Sequence, residues 1–329
     1  MLTTALTKAL GIDHPIIQAG MASDCGANLA AAVSNAGGLG TVGGIGRSPD
    51  DLERELAATR AATSRPWSVN IVCFDWAPFA PDLLDVAIAA RPKMVTLSFG
   101  DTSAALEKCL AAGLMAFVQV QDFASAKAAI AGRASGIIVQ GSEAGGHTGQ
   151  RGTLSFAAQV LDIAGNIPVV VAGGVGSGRG LAAALAMGAS GVLMGTRFKA
   201  TLEFGGPATG HLDAQREAIV ANDGDRTHIG STADLAMGMT WPAGVVSRIL
   251  QNRFTEEWAG NEEALAAAVA AQDRPFGWTR ANNNRPENML NWAGESSGLV
   301  HEILPAAEVV RNVATEAEAY LRDVSAVLS

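Results

Sequence analysis

Over its first two thirds the chain alternates short, almost unbroken apolar runs with longer Ala-rich stretches. The runs 14–20 (HPIIQAG), 38–43 (GLGTVG), 68–72 (SVNIV), 94–99 (MVTLSF), 115–120 (MAFVQV), 136–140 (GIIVQ), 168–172 (PVVVA) and 191–195 (GVLMG) are rich in Val, Ile and Leu. Runs of this length without polar alternation predict strands covered on both faces. Between them, 28–35, 49–62, 81–90, 103–112, 124–131, 154–163 and 180–187 predict helices, entered at Ser48 before Pro49 and at Asp122. Eight strands alternating with helices predict a TIM (β/α)8 barrel, with an open doubly wound sheet as the alternative. No run reads as a polar edge strand, which favours the closed ring.

The rhythm stops after Arg197. Residues 203–296 hold four of the six Trp and many Asn, show no strand repeat, and predict a mostly helical insertion beside the barrel mouth. The amphipathic stretch 297–329 predicts a helix that packs back on the barrel. The expected division is therefore an α/β barrel of 1–202 and 297–329, with a substrate-side insertion of 203–296.

A chain of 329 residues, 48% hydrophobic and 17% charged, can bury a large core. Its net charge of −9 offers no basic field to nucleic acid or an anionic membrane. A phosphate ligand would have to be held locally, by backbone N–H groups and nearby Lys or Arg. Cys25, Cys73 and Cys109 are widely spaced, lack metal-ligand spacing, and suggest a reducing compartment. Neither a signal peptide nor an apolar run long enough to span a bilayer is read in the chain. The expectation is a cytoplasmic enzyme acting on a small molecule, with homo-oligomerisation left open.

Two glycine loops carry the first chemical signal. VAGGVGSGRG (171–180) follows strand seven and GTRF (195–198) follows strand eight. In barrel enzymes these two loops form phosphate sites from backbone N–H groups, and glycine lets the backbone approach without a Cβ in the way. Tight turns alone are the competing reading, but two such loops at the two expected strands favour phosphate. QGSEAGGHTG (140–149) follows strand six and sets His147 in a glycine-rich loop at the catalytic end of a strand. An imidazole there is placed for proton transfer, with Gly145 and Gly146 leaving room for a ligand. Glu143 fits a bracing role better. QAGMAS (18–23) offers backbone to lie along a flat ring, and Asn70, Gln119 and Gln140 offer amides to a heterocycle edge, at even odds with core satisfaction. GLGTVG matches a dinucleotide fingerprint, but it follows a helix and reads as strand, the wrong context for one. His14, His211, His228 and His301 have no ligand-like partners.

These segments together resemble the nitronate monooxygenase family. The matching pieces are PIIQAGMA (15–22), AGGLGTVGG (36–44), VQGSEAGGHTG (139–149), PVVVAGGVGSG through GASGVLMGTRF (168–198) and NWAGESSGL (291–299). The resemblance implies FMN as cofactor and oxidation of alkyl nitronates by O2 to a carbonyl compound and nitrite. It implies that His147 lies near the flavin and assists catalysis. Gly173, Gly174, Gly195 and Thr196 would hold the phosphate, and Met21, Ala22, Asn70, Gln119 and Gln140 would surround the ring and ribityl chain. The chain departs from the family in its C-terminal substrate region, where it has no Lys and where Tyr320, near the end, is its single Tyr. An NAD(P)H-dependent FMN reductase of a quinone or an enoyl thioester therefore stays open beside the nitronate reading. A phosphate-binding barrel without redox chemistry is the third possibility.

Overall fold

A computed structural model describes residues 2–74, 80–205, 212–239, 241–271 and 285–325, so His211 and Trp278 lie outside the described residues. Eight parallel strands form the frame: β1 (Ile16–Gln18), β2 (Gly40–Gly43), β3 (Trp67–Cys73), β4 (Met94–Gly100), β5 (Met115–Val120), β6 (Gly136–Gln140), β8 (Val169–Ala172) and β9 (Gly191–Met194). They pair in the order β1-β9-β8-β6-β5-β4-β3-β2. Leu39 closes the ring: its N–H donates to Ile16 O and its carbonyl accepts from Gln18 N–H, both at 2.9 Å. This is the TIM barrel that the alternation predicts.

The unbroken apolar runs follow from burial on both faces. Val169 and Val171 point outward into the layer between strands and helices, while Val170 and Ala172 point into the barrel. Inside, Ile17, Leu39, Phe117, Ile138 and Leu193 pack with Leu6 and Leu10 of a short helix, Ala5–Leu10, which shares this interior core. The helix caps behave as the sequence predicts: Ser48 Oγ accepts from Asp51 N–H at 3.2 Å, and Asp122 Oδ1 from Ser125 N–H at 2.8 Å.

The GLGTVG glycines serve packing. A Cβ on Gly40 would overlap the carbonyl of Ala30 in the helix Ala27–Asn35, and one on Gly43 would overlap the carbonyl of Ala22. Gly40→Ala must push a helix off its strand and is expected to destabilise the fold by about 3 kcal/mol, the upper part of the overpacking range. Denaturant unfolding measures this, and an unchanged midpoint would show that the helix is not seated on β2 as described.

In the segment after β9 the structure adds strands to the expected helices. Among the described residues it contains the helices Asp213–Val220, Thr232–Met237, Arg253–Trp258 and Glu262–Ala270, and also two strands, β10 (Thr227–Gly230) and β11 (Val246–Leu250). β11 pairs antiparallel with β10 and with β7 (Gly146–Thr148), setting Ser247 opposite His147. THIG and VSRIL are too short and too polar to announce strands, and they form because each finds a partner edge. Ala233, Ala236, Ile249, Phe254, Leu265 and Leu290 make a small separate core there. The last helix, Ala306–Ser325, buries Val309, Val310, Val313 and Ala317 and packs on the helices Gly178–Ala186 and Ala27–Asn35. Among the described residues, no helix is long and apolar enough to cross a membrane.

Candidate active site

A cavity of about 850 Å3 opens at the C-terminal ends of the strands. Every position singled out from the sequence for ligand or chemistry lines it: Met21 and Ala22 after β1, Asn70 on β3, Gln119 on β5, and Gln140 on β6. So do Gly145, Gly146 and His147 on the loop after β6, Gly173 and Gly174 after β8, and Gly195 and Thr196 after β9. No cysteine lines the cavity, and burial pushes the Cys25 thiol up to about 12, so a thiolate nucleophile is not available here.

At one end the backbone is bared. Gly173 and Gly174 have φ of +97° and +74°, a conformation that side chains rarely adopt, and a Cβ on Gly174 would also overlap Glu143 Oε2. Among the described residues, the only atoms a Cβ on Gly195 would meet within 4 Å are Ala19 Cβ at 3.6 Å and Met21 Sδ at 3.9 Å. None of these contacts requires glycine at 195, and its absent side chain adds room to the cavity. The Thr196 hydroxyl accepts from Gly294 N–H at 2.9 Å and keeps its own proton to donate. Glu143 braces this end: Oε1 accepts from Thr153 N–H at 2.9 Å and its carbonyl from Glu295 N–H at 3.1 Å.

The amides divide. Gln140 is partly engaged by protein: Oε1 accepts from Gln119 at 3.1 Å and Gln121 at 2.9 Å, and Nε2 donates one hydrogen to the His147 carbonyl at 3.0 Å. It thereby fixes the His147 loop, and its second N–H has no partner among the described residues. Asn70 donates to Ser98 Oγ at 3.0 Å and Thr96 O at 3.3 Å, which turns its donor inward. The Thr96 hydroxyl, buried in the cavity lining, has no partner among the described residues, a group that a bound polar ligand would satisfy. This orphan, the bared glycines and the cavity's size fit a flavin.

Gly145 and Gly146 differ in purpose. A Cβ on Gly145 would overlap the backbone of Ala293 and Gly294, so this glycine, which also lines the cavity, is needed to admit that segment. Gly146 has φ +80° with open space around it. The residues 291–296 thus join the loops after β6 and β9, and Arg248 reinforces the join, donating to Ser142 O at 3.0 Å and pairing with Glu295 at 2.9 Å.

His147 is held on two sides. Nε2 lies 2.7 Å from Oδ1 of the buried Asp234, and the ring stacks on Trp241 with centroids 3.6 Å apart and planes 18° apart. Phe99 meets it edge-on at 6.4 Å. A carboxylate only accepts, so Nε2 carries a hydrogen, and in a neutral ring the lone pair is then on Nδ1. Nδ1 has no hydrogen-bond partner among the described residues. His228 and His14 stand apart from this cavity; His228 bonds Thr232 Oγ1 at 2.9 Å, and burial holds both imidazoles below the usual histidine range.

Sequence reasoning missed Asp234, Trp241 and Lys199. Lys199 lines the cavity although buried, and burial lowers its ammonium to about 8 against the opposing pull of Asp24. Its place directly after GTRF was the available signal. Asp234 lies 87 residues from His147, and nothing local marks it.

Comparison with known proteins agrees with this geometry. The family model for nitronate monooxygenase matches residues 3–316. Nitronate monooxygenase of Pseudomonas aeruginosa is 30% identical, over 96% of this chain and 99% of that protein. A (3aS,4S,5R,7aS)-5-hydroxy-7a-methyl-1-oxo-octahydro-1H-indene-4-carboxyl-CoA dehydrogenase of Rhodococcus jostii is 37% identical, over 82% of this chain and 72% of that protein. Among solved structures, FabK from Thermotoga maritima superposes with TM-score 0.83 at 30% identity, covering 99% of this chain and 100% of that one. Nitroalkane oxidase from Streptomyces ansochromogenes gives TM-score 0.78 at 27% identity, covering 99% and 100%. The chain belongs to the nitronate monooxygenase family of oxidoreductases, which implies a flavin cofactor.

Proposed function

We propose that the protein oxidises alkyl nitronates with O2 on non-covalent FMN, yielding a carbonyl compound and nitrite. The observation that carries this reading is His147: a cavity-lining imidazole fixed through Nε2, with Nδ1 unpartnered among the described residues. Gly173, Gly174, Gly195 and Thr196 would hold the phosphate, and Met21, Ala22, Asn70 and Gln119 would line the ring and ribityl chain. When bound, the flavin supplies electron transfer from substrate to O2. The chain supplies the rest. His147 Nδ1 takes the α-proton of a neutral nitroalkane, and Asp234 stabilises the imidazolium that results. Once protonated, the same nitrogen donates a hydrogen bond to the anionic nitronate. Trp241 covers one face of the imidazole and Phe99 meets its edge, so water is kept from the proton in transit.

The second reading, an NAD(P)H-dependent reductase of a quinone or enoyl thioester, draws on the apolar wall formed by Met237, Met239, Trp241 and Phe99. Such a wall accommodates a larger apolar group than a simple nitronate. Absorbance spectra recorded anaerobically, first with a nitronate and then with NADH, separate the two. The nitronate reading expects a yellow protein bleached by nitronate and restored by air. Bleaching by NADH alone transfers the assignment to the reductase, and a colourless protein that takes up no flavin removes both.

A further inference from the structure

Lys199 is unexplained by the fold. It is 3% exposed in an acidic chain of net charge −9. Its Nζ makes one hydrogen bond, to Trp292 O at 3.3 Å, and lies 5.5 Å from the Phe204 ring centre. No carboxylate lies within ion-pair distance among the described residues, and two of its three donors are unspent. A buried, unpaired ammonium is expensive, and burial without a partner is uncommon for charged groups. A cation–π contact with one Phe offsets only a small part of that.

Its position indicates the missing partner. Lys199 is three residues past Thr196 on one short helical turn, so the two share a face. Thr196 Oγ1 is fixed to Gly294 N–H and Lys199 Nζ to Trp292 O, so both side chains meet the same stretch of backbone. Gly173, Gly174 and Gly195 line the same cavity as Lys199. Arg197 on the same turn is spent on Glu302 O, and Lys199 is the only Lys or Arg lining the cavity among the described residues.

We propose that Lys199 is the cavity's charged anchor for a phosphate monoester, that of FMN, held jointly with the Gly173–Gly174 and Gly195–Thr196 loops. This rests on the FMN reading above. The charged groups acting on the free amine are few: Asp24 is the one whose charge acts on it appreciably, and it favours the ammonium. Below about 8 the free protein presents the ammonium, and above it the neutral amine. A dianion alongside raises the amine's pKa, so FMN binding takes up a proton there, and FMN affinity falls as pH rises through about 8.

The test titrates the full chain, stripped of bound flavin, with FMN and with riboflavin, which lacks the phosphate. Lys199→Met is expected to weaken FMN by at least ~10-fold, the scale of a lost charge-assisted hydrogen bond, and to leave riboflavin affinity unchanged. Riboflavin binding also reports that the variant is folded. Lys199→Arg, always charged, is expected to retain most of the FMN affinity and to lose the pH step near 8. The proposal is overturned if Lys199→Met weakens both flavins equally, which makes Lys199 a shape-giving residue, or weakens neither. It is also overturned if the parent protein binds riboflavin as tightly as FMN. If the parent binds neither flavin, the cofactor reading fails by itself. Inorganic phosphate titrated into parent and Lys199→Met then decides the lysine: weaker binding by the variant sustains a phosphate anchor, and equal binding removes it.

Discussion

His147→Ala is expected to keep its flavin and to lose at least ~10²-fold in turnover of a neutral nitroalkane, the lower bound usual for a lost acid–base group. The flavin is retained because His147 adds no donor to the glycine loops, and because its backbone is secured from elsewhere. Gln140 holds its carbonyl, and β7 pairs with β11 through main-chain bonds that alanine keeps. The turnover is lost because no other unpartnered imidazole lines the cavity among the described residues. With preformed nitronate the loss should be smaller, since that substrate needs no deprotonation. Steady-state kinetics on both substrates decide the role. Equal losses would assign His147 to binding or electrostatics, and parental rates on both would make it a loop residue.

Much of this arrangement was legible in the chain. A barrel strand covered on both faces writes itself as a continuous apolar run, so all eight barrel strands can be placed from the sequence. The loops after β8 and β9 were legible because backbone held at positive φ, or backbone that must stay bare, calls for glycine, as at Gly173 and Gly174. Function was less legible wherever one glycine could serve two needs. Gly145 reads as ligand space and also admits Ala293 and Gly294; Gln140 reads as a ligand contact and also ties down the histidine loop through one N–H. The partners of His147 were not legible at all. Asp234 sits on a six-residue helix and Trp241 on an irregular stretch, both positioned by β10 and β11, whose sequences carry no alternation. Long-range pairing of short polar strands leaves no local trace, so this side of the cavity emerges only from the fold.

Asp234→Asn is expected to approach the His147→Ala defect on a neutral nitroalkane, again a loss of ~10²-fold, without removing the imidazole. In the proposed reaction Asp234 positions His147: its buried carboxylate can only accept, which puts a hydrogen on Nε2 and, in the neutral ring, leaves the lone pair on Nδ1. An amide of the same shape can turn its N–H2 toward Nε2. The ring then carries its hydrogen on Nδ1, where an acceptor is needed, and the imidazolium loses the negative charge that stabilised it. Packing barely changes, because Asn fills the same space and Trp241 still stacks on the ring, so a purely structural role for Asp234 predicts near-parental turnover. Nitrogen NMR of the histidine ring supplies a readout that packing would not move: Nε2–H in the parent, Nδ1–H in the variant. Preformed nitronate separates the roles further, because Nδ1–H can still donate to an anion, and turnover of that substrate should stay much closer to the parent's. Parental turnover of the neutral nitroalkane by Asp234→Asn, or an unchanged tautomer, would show that Asp234 does not set the proton on His147 and that the pair is an incidental bridge between the insertion and the barrel.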